Sequence, residues 1–105
     1  MLVSMLEILE KAKEGGYGVL APNVFNEDSV RVCIEAAVEL DSPLIIDVLP
    51  DNHKDIVSFG KLICSMANEV RIPIALNLDH GDSFEACVKA IYGGFTGVMV
   101  DRSAL

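Results

Sequence analysis

Four short apolar runs recur along the chain, Gly18 to Val24, Pro43 to Leu49, Pro73 to Asp79 and Gly97 to Asp101, each rich in Val, Ile or Leu and flanked by Gly or Pro. Near-continuous hydrophobic runs of this length predict parallel strands buried on both faces. Between them the spacing turns helical. Ile56, Phe59, Ile63, Met66 and Val70 step by three and four and so gather on one helix face that would pack on a sheet. Start and stop signals frame the other helices. Ser4 with Glu7 reads as a capping box and Gly15-Gly16 as the stop of a first helix. Asn26, followed by Glu27 and Asp28, can cap a second helix that runs to about Leu40. Asp82 or Ser83 can cap a last helix that stops at Gly93-Gly94.

The expected strands begin about 25 to 30 residues apart, on the order of one strand–helix unit. Strands alternating with helices at this period imply βαβ connections, right-handed crossovers and a parallel sheet. An open doubly wound sheet and a closed barrel share that signal. The first strand is followed by Ala21-Pro22-Asn23-Val24-Phe25-Asn26 where a dinucleotide fold would carry a Gly-rich phosphate loop. A helix ahead of the first strand also suits a barrel, whose bottom it can plug. A complete (β/α)₈ barrel needs about 250 residues. This chain has 105, reads as one domain over residues 1–105, and reaches Leu105 one strand into what would be a fourth unit.

Composition narrows the class of partner. Sixteen acidic residues against eight basic ones give a formal net charge of −8, which repels nucleic-acid backbones and anionic membranes and favours a small-molecule or protein partner. The hydrophobic fraction of 51% is that of a globular chain and not of a disordered one. Cys33, Cys64 and Cys87 form no CxxC pair and all fall in expected helices, so free buried thiols are anticipated and not a disulfide framework. No basic leader with a cleavage signal and no membrane-length apolar run is present, which makes the cytoplasm the expected compartment.

In parallel α/β architectures ligands sit beyond the carboxyl ends of the strands. The polar residues there are Asn23 and Asn26 after the first run, Asp47 within the second, Asp79 and His80 after the third, and Asp101 and Ser103 after the fourth. Asp79-His80-Gly81 pairs an acid with an imidazole. Neighbours on a regular strand face opposite ways, so both reach one site only if the strand bends, which Gly81 permits. Helix capping and loop hydrogen bonding would equally place such residues there. Asp47 is expected either to make an inward polar contact or to lie near a mouth, and His53 to be a solvated loop residue. Schiff-base chemistry needs a desolvated lysine at a strand end. Lys11, Lys13, Lys54, Lys61 and Lys89 all fall on helices or a polar loop.

Three stretches resemble the class II fructose- and tagatose-bisphosphate aldolases. They are Leu9 to Asn26, with Lys11-Ala12-Lys13-Glu14-Gly15-Gly16-Tyr17 ahead of Asn23 and Asn26; Ile72 to Glu85, with Leu78-Asp79-His80-Gly81; and Lys89 to Ser103, with Val98-Met99 and Asp101. The resemblance covers essentially the whole chain. It implies an α/β fold, the N-terminal half (about four βα units) of a TIM (β/α)₈ barrel. It further implies zinc-dependent, reversible cleavage of a ketose bisphosphate to dihydroxyacetone phosphate and an aldehyde. Zinc would act as a Lewis acid on the ketone while a carboxyl group handles the proton. By the same resemblance His80 matches the first zinc ligand, Asp79 the proton-exchanging acid and Asp101 a carboxylate tied to a second divalent metal position. Asn23 and Ser103 are the expected substrate contacts. The expected partners are the phosphorylated ketose, dihydroxyacetone phosphate and, as a homo-oligomer, further copies of the chain.

Departures from the family pattern are Asn77 where a histidine is common, Phe25 for an asparagine, Leu49 for a substrate-contacting serine and Arg102 for a small residue. Leu49 cannot replace a hydroxyl hydrogen bond. Catalytic zinc takes three protein ligands, and the family's other histidines lie on later strands. The chain alone is therefore expected to be incomplete and inactive, and a non-catalytic half-barrel that self-associates or pairs with a partner is the competing expectation.

Overall fold

The computed structural model describes residues 1–104; Leu105, where the fourth expected unit stops, lies outside the described residues. Seven elements follow in order: α1 (Met5–Gly15), α2 (Glu27–Glu39), β1 (Leu44–Val48), α3 (Ile56–Ala67), β2 (Ile74–Gly81), α4 (Phe84–Tyr92) and β3 (Gly97–Val100). The strands form a parallel sheet in the order β1-β2-β3, with Leu44 opposite Ile74 and Asp47 opposite Asn77.

The helices begin where short polar side chains can accept the first free N–H groups. Ser4, Asn26, Asp55 and Ser83 each do so, Ser83 being the cap of α4 and not Asp82. The reciprocal capping box sits at α2, where Asn26 Oδ1 accepts from Ser29 N–H and Ser29 Oγ accepts from Asn26 N–H. At α1 only the forward half forms, Ser4 Oγ accepting from Glu7 N–H at 3.2 Å. Gly16 closes that helix at φ +70°, a left-handed conformation that glycine adopts at no steric cost.

Alternation along the strands divides the sheet into two unlike faces. Leu44, Ile46, Val48, Ile74, Leu76 and Leu78 are all buried under α2, α3 and α4, where they join Val30, Ile34, Phe59, Ile63 and Ala90 in the main core. The opposite face changes character along its length. Near the strand starts Ile45 and Ala75 pack with Ile8 of α1 in a second apolar cluster. Nearer the strand ends the same face carries Asp47, Asn77 and Asp79. Helix α1 thus covers the amino end of that face, and the polar end stays clear of it. A backbone bridge at Leu2 and Ile74, with Val3 N–H on Ile74 O, anchors the lead into α1.

The first expected strand, residues 18–24, does not form a regular ladder. Ile45 N–H donates to Leu20 O, Asp47 N–H to Pro22 O, and Val24 N–H returns a bond to Asp47 O, which leaves one isolated bridge at Asn23 and Asp47. The bond that would continue the ladder needs an N–H at position 22 directed at Ile45 O. Pro22 has none, and this accounts for the break. The segment still lies along β1 as an edge, so the expected parallel order is kept with three strands and one extended flank.

The bend in β2 differs from expectation in the residue that makes it. Leu78 pairs with Val98 and Gly81 with Val100, so β2 carries one residue more than β3 between these pairs. The left-handed backbone sits at His80, φ +53°, and not at Gly81. Gly81 is needed for closeness, since a Cβ there would lie 2.8 Å from Met99 O. A left-handed conformation costs an L-residue about 1–2 kcal/mol. His80→Gly is therefore expected to be more stable than His80→Ala by about 1 kcal/mol, the reverse of the usual order within regular structure. Urea unfolding of the two variants checks this; Ala being the more stable would contradict it.

Candidate active site at the carboxyl end of the sheet

The extra residue in β2 re-aims two consecutive side chains toward one place. Asp79 continues the inward series of Ala75 and Asn77, while His80, turned by its left-handed backbone, swings its ring back over the strand end. His80 Nδ1 lies 2.7 Å from Asp101 Oδ2, and His80 Nε2 lies 3.7 Å from Asp79 Oδ1. The imidazole is thus flanked by two carboxylates.

Asp101 sits just beyond β3 and is held in turn, its Oδ1 accepting from Ser103 N–H at 2.9 Å. The Ser103 hydroxyl, then the Ser103 N–H, then the His80 hydrogen bond stabilise the ionised form and take the Asp101 pKa down to about 2. An ionised carboxylate only accepts, so the proton of that contact is assigned to His80 Nδ1. In the neutral ring, Nε2 then carries the free lone pair. The Asp101 hydrogen bond, followed by the charge of Asp79, raises the His80 pKa above its ordinary value.

Behind this pair the sheet supplies a second layer. Asn23 Nδ2 donates to Asp79 Oδ2 at 3.2 Å, and the backbone on either side of Asn23 is clamped to Asp47. Asn77 Nδ2 donates to Asp47 Oδ1 at 2.9 Å across the register pair. Burial pushes the Asp47 carboxyl above its usual pKa, opposed by the Asn77 hydrogen bond and reinforced by the charge of Asp79. Gly97, opposite Asn77, leaves room for that amide, since a Cβ there would come within 3.0 Å of Asn77 Oδ1.

Of the residues singled out by sequence, Asn23, Asp47, Asp79, His80, Asp101 and Ser103 therefore gather at one end of the sheet. Asn23 touches Asp79, and Ser103 is engaged with Asp101. Asn26 is spent on capping α2. His53 departs from the solvated loop residue expected: its ring stacks on Phe59 at 4.5 Å and its Nδ1 accepts from Asp55 N–H. Asn77 was visible only as an unusual residue in a strand. Its pairing with Asp47 could have been found by aligning the second and third apolar runs in register, because both polar residues interrupt otherwise apolar strands.

Imidazole is a favoured zinc ligand, and a ring fixed through Nδ1 by a carboxylate is the arrangement that orients metal-binding histidines. In type and orientation His80 fits that use. Among the described residues no group of three or more His, Cys, Asp or Glu is arranged to hold an ion, so a complete ligand set is not assembled here. No helix among them is long and apolar enough to cross a membrane.

The class II fructose-bisphosphate aldolase family model matches residues 3–105. A fructose-bisphosphate aldolase from Thermus caldophilus is 41% identical over 108 residues, covering 98% of this chain and 34% of that protein. A probable fructose-bisphosphate aldolase from Bacillus subtilis is 42% identical, over 97% of this chain and 38% of its own length. The chain thus spans little more than a third of these relatives. The crystal structure of the YdjI aldolase from Escherichia coli K12 superposes with a TM-score of 0.91 at 30% identity, over 100% of this chain and 40% of that one. A Campylobacter jejuni fructose-bisphosphate aldolase, at 22% identity and a TM-score of 0.78, shares the fold.

The His80–Asp101 pair has a defined pH signature. Because folding raises the His80 pKa, its contribution to stability is fully present below the ordinary value of 6.5 and is lost as pH rises through the raised folded value. The Asp101 contribution is present above 3.8 and is lost as pH falls toward about 2. An NMR titration of the His80 ring is expected to give a midpoint above 6.5 that Asp101→Asn lowers. An unchanged midpoint in that variant would remove the pair from the account.

Proposed function

The chain belongs to the class II fructose-bisphosphate aldolase family, and from that premise we propose that it forms the amino-terminal half of a (β/α)₈ barrel performing reversible, zinc-dependent aldol cleavage of a ketose bisphosphate to dihydroxyacetone phosphate and an aldehyde. The observation that carries the reading is the His80 ring, fixed through Nδ1 by Asp101 with Nε2 directed at the place Asp79 also faces. A parallel sheet flanked by helices on one face, with α1 under the amino end of the other, supports the barrel geometry.

In this reading Asp79 is the group that moves the proton of the substrate hydroxyl on the carbon released as aldehyde. Asn23 keeps one Asp79 oxygen occupied, so that the other is the one presented to substrate. His80 would supply one zinc ligand through Nε2. Zinc, when bound, polarises the substrate ketone as a Lewis acid. Asp101 fixes the ring, and a second divalent cation held near it is the further role open to its carboxylate. Asn23 and Ser103 line the approach of the substrate. We place the reaction in the cytoplasm, where the unpaired thiols of Cys33, Cys64 and Cys87 suit a reducing environment.

One imidazole cannot complete a three-ligand site. The 105-residue chain is therefore expected to lose zinc on dialysis and to leave fructose 1,6-bisphosphate uncleaved, as read by metal analysis and a coupled assay. Stoichiometric zinc that survives dialysis and is lost on His80→Ala would refute this.

A second reading, self-association of the chain, is favoured by apolar surface at both sheet flanks. Leu20, Val32 and Leu40 are exposed beside residues 18–24, and Phe84, Ile91 and Val100 beside β3. Light scattering is expected to find a dimer or larger species, and a monodisperse monomer would end this reading.

A further inference from the structure

The amino-terminal segment is tied down at the end of the sheet opposite the candidate site. Met1, Leu2 and Val3 run between the end of α3 and the start of β2. Ile74 N–H donates to Met1 O and Val3 N–H to Ile74 O, while Leu2 N–H donates to Asn68 Oδ1. The α-amino group of Met1 donates to Ala67 O at 2.6 Å, Val70 O at 2.5 Å and Ile72 O at 2.8 Å. All three of its hydrogens are thus engaged by carbonyls, and among the described residues no carboxylate pairs with it.

Two features of this turn call for such a donor. A helix ends with carbonyls that lack intrahelical partners and with the negative end of its dipole. Helix α3 ends at Ala67 with no basic residue in its last turn, so the amino terminus supplies the positive group that the helix itself lacks. The chain then folds back through Val70 and Ile72, whose carbonyls meet the same nitrogen as Ala67 O. Three acceptors around one nitrogen call for three hydrogens. An ammonium has three and a neutral amine two, whereas the amide nitrogen of an acylated terminus has one and carries no charge. Burial draws the pKa of this amine below its ordinary value, yet even its neutral form keeps twice the donors of an amide. An amide would leave two of the three carbonyls without this partner.

We propose that the α-amino group of Met1 is a modification-sensitive site: free, it locks residues 1–3 onto the end of α3 and the start of β2, and acylation by a formyl or acetyl group releases them. The segment leads directly into α1, whose Ile8 packs with Ile45 and Ala75, so release loosens the cover on the amino end of the inward face. The lock owes nothing to the aldolase reading, because its residues lie away from the His80 cluster.

The test compares two forms of the 105-residue chain, one with a free Met1 and one N-acetylated, each made by ligating synthetic residues 1–32 to the remainder at Cys33. Amide hydrogen exchange at Val3 and Ile74 should be faster by about tenfold or more in the acetylated form. Exchange at Val24, whose N–H is bonded to Asp47 O at the other end of the sheet, should be unchanged. Equal rates at Val3 and Ile74 in the two forms, or the same increase at Val24, would overturn the proposal. If the acetylated chain does not fold, the free form decides alone. On pH titration the ¹³C signals of the Ala67, Val70 and Ile72 carbonyls should move with the Met1 amine at one shared midpoint. Carbonyl signals that do not follow that midpoint would overturn the proposal.

Discussion

One surplus residue in β2, taken up by a histidine in a left-handed conformation, is the constraint on which the candidate site depends. On a regular strand Asp79 and His80 would point to opposite faces and could not share chemistry. The bulge removes that alternation at the carboxyl end of β2, where the strand leaves the core. Strain of this kind persists only where the surroundings over-determine it. Here three features do so: the close approach of Gly81 to Met99, the resumption of pairing at Val100, and the His80 Nδ1 contact with Asp101. Backbone energy is exchanged for the placement of one imidazole nitrogen.

The two faces of the sheet explain why the site lies where it does. The helix-covered face is apolar from end to end and supplies most of the buried side chains. The other face is apolar only where α1 covers it, through Ile8, Ile45 and Ala75. Beyond that cover the inward positions become Asp47, Asn77 and Asp79, each costly to bury without partners, and they satisfy one another in part. The polar end of the sheet is thereby rich in negative charge, in keeping with a chain of net charge −8. Such a surface repels anions and favours the approach of positive charge.

Much of this was legible in the sequence. The apolar runs at 43–49 and 73–79 became β1 and β2, the helical spacing from Ile56 became α3, and the capping residues Ser4, Asn26 and Ser83 start their helices. Such features are local, written in neighbouring residues. The losses are of two physical kinds. Pro22 looked compatible with an apolar strand because its cost appears only when the partner carbonyl, Ile45 O, is known. The contacts of Asn23 with Asp79, Asn77 with Asp47 and His80 with Asp101 join residues 56, 30 and 21 positions apart. Strand register and a bulge decide those contacts, and neither has a composition signature. The bend was anticipated at Gly81 because glycine tolerates positive φ most readily, yet pairing resumes at Gly81 opposite Val100, so the surplus residue has to be taken up before it and the left-handed backbone falls at His80.

The central claim is that Asp101 fixes the His80 proton on Nδ1 and leaves Nε2 as the free donor atom. A long-range ¹H–¹⁵N correlation spectrum of the ring, recorded well above the His80 midpoint, reads the tautomer directly. The account predicts a protonated Nδ1 and an unprotonated Nε2, and a ring protonated on Nε2 would contradict it.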